Sequence, residues 1–143
     1  MRKLTSEYIA YAINYISAVS ESNVAIIAWS QGNLDTQWSF KYWPSTKDVV
    51  DNYIAISPDY HGTRYETDFI EALRADGGGS AYVPTITIYS TFDEIVQPQS
   101  GPDALAILDD DRKVGVSNNH AQTVCANHLL AVFTRTKGCR TIL

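Results

Sequence analysis

The chain has 143 residues, of which 45% are apolar, and a net charge of −5. That length suits one domain with a real core, and the apolar share argues against disorder. The acidic balance and the lack of a Lys/Arg run make nucleic acid a poor partner, and no apolar stretch approaches the roughly 18 residues of a membrane span.

The start, Met1-Arg2-Lys3, imitates the charged end of a signal peptide. Glu7 and Asn14 interrupt any apolar region behind it, so the stretch reads as a helix instead. Thr5 or Ser6 caps that helix, Ile9, Ile13 and Ile16 form its buried stripe, and it runs to about Ser20. Val24 to Trp29 is a short apolar run, the mark of a strand buried on both faces. Gln31 to Trp43 reads as a helix stopped by Pro44, and Ser45 to Val50 as a helical turn. A second strand covers Asn52 to Ser57 and ends at Pro58. A helix over Glu66 to Ala75 is terminated by Gly77-Gly78-Gly79. Thr85 to Ser90 is a third strand, rich in β-branched residues. Thr91 to Asp103 is a loop, Ala104 to Leu108 a turn of helix, and Asn119 to Cys125 a weaker fourth strand. The alternation predicts an α/β fold: about four mainly parallel strands flanked by helices.

In such a sheet, ligands and catalytic groups gather at the carboxyl ends of the strands. Ser30, Asp59 and Asp93 follow the first, second and third strands. A serine hydroxyl needs a base and donors for the developing oxyanion. A sharp strand-to-helix turn lifts its Oγ clear of the sheet and aims the next N–H at the oxyanion, provided that the flanking positions are small. Ala28-Trp29-Ser30-Gln31-Gly32 is a variant of that Gly-x-Ser-x-Gly pattern. A plain N-cap serine is the alternative; the position between strand and helix favours the nucleophile. Asp93 and Glu94 compete as the acid, which follows the nucleophile in chain order. Of three histidines, His61 comes too early, His120 sits in or beside the fourth strand, and His128 lies in the right region with no loop-plus-helix behind it. A structural role is the default for each. There is no metal-type Cys/His spacing and no internal repeat, so no metal is expected; Cys125 and Cys139 leave one disulfide or two free thiols open.

Thr-Ser-Glu-Tyr near the start, Trp-Ser-Gln-Gly-x-Leu-x-x-Gln-Trp, Ser-Pro-Asp-Tyr-His-Gly-Thr, Val-Pro-Thr-x-Thr-Ile-Tyr-Ser, Asp-Glu-Ile-Val-Gln-Pro-Gln and Gln-Thr-Val-Cys, in that order, resemble the fungal lipase B family over most of residues 5–125. The resemblance implies an α/β-hydrolase that acts on triglycerides and other carboxylic esters, is secreted and needs no cofactor. It implies that Ser30 is the nucleophile, that Asp93 rather than Glu94 is the triad acid and that the Gln31 backbone N–H is an oxyanion donor. It likewise implies that Trp29 walls the alcohol side, that Asp59 lines the polar floor and that Ile95 forms the apolar rim. The partner so implied is an ester or lipid substrate, with contact at a lipid interface compatible with it.

Relative to that family, the sequence looks like an incomplete, internally deleted α/β-hydrolase core. The early strands and a threonine-bearing oxyanion loop are absent, and Arg64 and Tyr65 stand where the family carries a longer, lid-like segment. Residues 1–128 are therefore expected to form a partial hydrolase domain and 129–143 an atypical tail, whose codons shifted by one base can spell a family-like Thr-His-Glu-Gly. A frameshift is the expectation there, with His128 the best triad candidate otherwise. Impaired ester hydrolysis is expected; the alternative is an inactive fragment with a structural or small-molecule-binding role.

Overall fold

The computed structural model describes residues 2–62 and 67–125. Helix α1 spans Arg2–Ser20, strand β1 Val24–Trp29, helix α2 Gln31–Tyr42 and strand β2 Val50–Ile56. Helix α3 spans Thr67–Arg74, strand β3 Thr85–Tyr89, strand β4 Val116–His120 and helix α4 Ala121–Val124. Short 3-10 turns lie at Pro44–Val49 and Ala75–Gly77. The strands form one four-stranded sheet in the order β1-β2-β3-β4, and each neighbouring pair is parallel. The α/β expectation and its four strands are borne out.

The register decides what each face carries. Ile26 lies opposite Tyr53 and Ala28 opposite Ala55, while Tyr53 and Ala55 face Thr85 and Thr87 in turn. These residues look onto α1, α2 and α3, where Ile13, Leu34, Trp38, Phe40, Ile70 and Leu73 complete the core. Helix α2 is buried from Asn33 to Phe40, because the sheet and the other helices surround it. Its buried polar side chains bond outwards: Ser39 Oγ donates to Ser6 O at 2.7 Å and Gln37 Nε2 to Ser80 O at 3.0 Å.

The opposite face is largely open among the described residues. Ile27 is 69% exposed and Trp29 51%, and Ile86 is exposed beside them. β1 was expected to be buried on both faces; instead its burial alternates residue by residue, since among the described residues α1, α2 and α3 pack on one side of it. Ile86 and Ile88 line a cavity of about 190 Å³ on that face, together with Ser117, Asn119, Ala121 and Val124.

Other boundaries also move. The first helix begins before Thr5 and Ser6, because Ser6 is a buried helical contact that donates to Asp35 Oδ1 at 3.4 Å, and no N-cap. The Ala104–Leu108 stretch forms a single turn, closed by Ile107 N donating to Ala104 O at 3.1 Å, and no helix. Its backbone is spent on neighbours, with Leu105 N donating to Pro98 O and Tyr60 N to Leu105 O. The fourth strand runs over Val116–His120, and residues 121–124 turn helical. Its polar run is tolerated because Asn118 Oδ1 accepts from Thr87 Oγ1 at 2.9 Å and from the Leu108 N–H at 3.1 Å. A glycine is required at Gly78, where a Cβ would fall 1.6 Å from the Leu73 carbonyl oxygen. His128, Arg64, Tyr65, Cys139 and the whole 129–143 tail lie outside the described residues.

Candidate active site

Ser30 stands between β1 and α2 with φ 51° and ψ −127°. That conformation is nearly reserved for glycine and costs an L residue on the order of 1–3 kcal/mol. The chain holds it with backbone bonds: Ser30 N donates to Ile56 O at 2.9 Å, and Asn33 N donates to Ser30 O at 3.0 Å. Ser30 makes no side-chain capping bond, so the N-cap alternative does not account for it. The hydroxyl therefore projects at the carboxyl edge of the sheet from a backbone that local preference disfavours. The crowding expected at the turn is mild: a Cβ on Gly32 would meet only Ala28 Cβ, at 3.8 Å.

Asp93 lies past the end of β3, which runs parallel to β2 and through it to β1, so Asp93 and Ser30 share one edge. Two strand spacings separate their strands, roughly 10 Å. Asp93 is 1% exposed, and its Oδ1 accepts the N–H groups of Ile95 and Val96, each at 3.0 Å. Its Oδ2 is buried and has no hydrogen-bond partner among the described residues. A buried acceptor of this kind is costly, and such atoms mark strained or functional sites. Gln97 Nε2 donates to the Asp93 carbonyl and pins the loop from within. Glu94, the rival acid, is exposed.

Of the remaining candidates, Gln31 opens α2 with its side chain exposed, and Trp29 and Ile95 are exposed apolar groups at the same edge. Asp59 follows β2 and is 8% exposed. The two described histidines are engaged elsewhere. His61 is half-buried with Nε2 3.2 Å from Ile107 O; against a carbonyl, that nitrogen donates. Burial, and then the nearby Arg74 charge, lower its pKa. His120 Nε2 lies 2.6 Å from Thr91 Oγ1 and Nδ1 3.1 Å from Thr123 Oγ1. Cys125 is buried and disulfide-bonded. Among the described residues no group of His, Cys, Asp and Glu is placed to hold a metal ion, and no helix is long and apolar enough to cross a membrane.

Two contributors escaped the sequence reading. Asn33, fully buried in the first turn of α2, bonds to both the elbow and β2. Gln122 of α4 reaches Ser90 and Thr91, which lead into Asp93. An amide residue three positions after the serine was the available signal for Asn33. Gln122 opens the Gln-Thr-Val-Cys motif, but its segment was read as strand and no role was given to it.

Comparison with known proteins adds an independent finding. No protein-family model matches the chain. Lipase B of Pseudozyma antarctica is 34% identical over an alignment of 143 residues, which covers 86% of this chain and 41% of that protein. The crystal structure of Aspergillus fumigatus lipase B superposes with a TM-score of 0.85 and 59% identity, over 88% of this chain and 35% of that one. The lipase B resemblance is borne out. The chain thus spans about two fifths of the curated lipase B it matches, and the four parallel strands with their helices correspond to part of an α/β-hydrolase core.

Proposed function

We propose that the protein is a lipase-like carboxylic ester hydrolase with Ser30 as its nucleophile. The observation that carries the reading is the backbone of Ser30, φ 51° with ψ −127°, at a turn that leads straight from a parallel strand into a helix, the strained geometry of a nucleophile elbow. The unpartnered Oδ2 of Asp93 at the same sheet edge supports it, as does the similarity to lipase B proteins.

On this reading Ser30 Oγ attacks the ester carbonyl carbon while a base takes its proton. The carbonyl π electrons move onto oxygen, and the Gln31 N–H donates to that oxyanion. Collapse of the tetrahedral species expels the alcohol, which takes the proton back from the base, and leaves the acyl group on Ser30. Water then attacks, and the acid departs. Asp93 orients the base and stabilises its charged form through Oδ2. Trp29 lines the alcohol side, Ile95 the apolar rim and Asp59 the polar floor. Residues 1–128 make up the hydrolase unit, and secretion accompanies the class. The base itself is not among the described residues, since His61 and His120 are both engaged elsewhere.

That engagement favours a second reading, a catalytically silent chain with a structural or small-molecule-binding role. A fluorophosphonate probe separates the two. Covalent labelling that is lost in Ser30→Ala and slowed in Asp93→Asn supports hydrolase chemistry. Reversible binding of an ester analogue without labelling supports the second reading and overturns the first.

A further inference from the structure

The elbow is braced by a side chain with no assigned role. Asn33 Nδ2 donates to Ser30 O at 2.8 Å and to Ile56 O at 2.9 Å, while its Oδ1 accepts from the Tyr53 hydroxyl at 2.7 Å. Tyr60 OH in turn donates to Tyr53 OH at 3.3 Å. The same Ile56 carbonyl receives the Ser30 N–H. Both ends of Ser30 are therefore tied to one carbonyl of β2, its N–H directly and its C=O through the Asn33 amide. Two carbonyls can only accept, so the NH₂ of Asn33 must face them and Oδ1 must face the phenol. Tyr53 is fully buried, and burial raises its pKa, which keeps the proton that it donates.

We infer that Asn33 is the positioning residue of the Ser30 elbow and that Tyr53 and Tyr60 fix which way its amide faces. The peptide unit is planar, so the Ser30 C=O and the Gln31 N–H move as one body. Drawing that carbonyl inward onto Asn33 turns the Gln31 N–H outward, to where the oxyanion forms. The catalytic consequence rests on the ester-hydrolase reading; the geometric one does not.

The test combines NMR on the full chain with fluorophosphonate labelling. In Asn33→Ala the Ser30 Cα and Cβ shifts and amide–Hα coupling should lose their positive-φ signature. The labelling rate at saturating probe should fall about tenfold or more, a smaller loss than outright removal of an oxyanion donor brings, with half-saturation unchanged. Ser39→Ala, which removes buried bonds from the same helix without touching the elbow, should keep both signals. Retention of the positive-φ signature in Asn33→Ala would overturn the inference. If that variant does not fold, Tyr53→Phe decides: the Asn33 side-chain amide should lose protection from hydrogen exchange, and unchanged protection would sink the idea. A wild-type chain that takes no label removes the hydrolase reading and leaves the NMR result to judge Asn33.

Discussion

Gln122 holds Ser90 and Thr91 together: its Nε2 donates to Ser90 Oγ at 2.7 Å, and its Oε1 accepts the Thr91 N–H at 3.0 Å. The Asp93 N–H donates to Ser90 O at 3.1 Å, so this clamp carries through to the carboxylate. Helix α4 thus acts as a bracket for the acid loop, although it spans only Ala121–Val124.

Gln122→Ala should lower stability by about 1–2 kcal/mol, the scale of two hydrogen bonds. Amide exchange should quicken at Thr91 and Phe92 while β3 stays protected. Urea melts and hydrogen exchange by NMR would check this. Unchanged exchange at Thr91 would mean that the loop is held by its own Asp93 and Gln97 bonds alone.

Ser30→Gly should be more stable than Ser30→Ala. Both remove the hydroxyl, but only glycine adopts φ 51° without a Cβ penalty. Strain relief exceeds the entropy that glycine adds to the unfolded chain, giving a net difference of about 1 kcal/mol. Parallel denaturant titrations with a common slope would measure it. Equal midpoints would show that Ser30 stores no strain.

The open sheet face makes a third case. A parallel sheet ordinarily has both faces covered, and here Ile27, Trp29 and Ile86 are exposed along one of them. Ile27→Thr keeps a β-branched residue on the strand and removes apolar surface. It should reduce dye binding and light scattering while changing stability by less than about 0.5 kcal/mol. Ile26→Ala, one residue along and facing the core, should cost about 2–4 kcal/mol. Comparable losses at both positions would mean that the 27 side is covered after all.

The elbow was legible in the sequence because its parts are local: an apolar run, a serine, small flanks and a helix pattern. The parallel sense of the strands was legible too, since βα alternation restricts the connections. The open face was not, because an apolar run such as Val24 to Trp29 looks the same whether one side or both are covered. β4 was misplaced because Ser117, Asn118 and Asn119 carry no strand propensity; Asn118 is satisfied from β3 and from Leu108, contacts distant in the chain. Asn33 was passed over for the same reason, as its partners Ile56 and Tyr53 lie on β2.

His61 should make stability fall as the solution is acidified. The half-buried ring donates from Nε2 to the Ile107 carbonyl, and its pKa is lowered, first by burial and then by Arg74; Asp109 and Asp103 oppose that from nearby. A depressed folded-state pKa means that the unfolded chain takes up the proton first. The contribution is therefore complete above the ordinary histidine value, near 6.5, and is lost as pH falls through that value towards the lower folded one. Carboxylates also titrate on the way down, so the comparison must be between variants. His61→Gln keeps an amide donor for Ile107 and removes the titration. Between about pH 7 and 5, its melting temperature should drop less than that of the unaltered chain. Parallel curves for the two would exclude His61 as a contributor to the acid sensitivity of the fold.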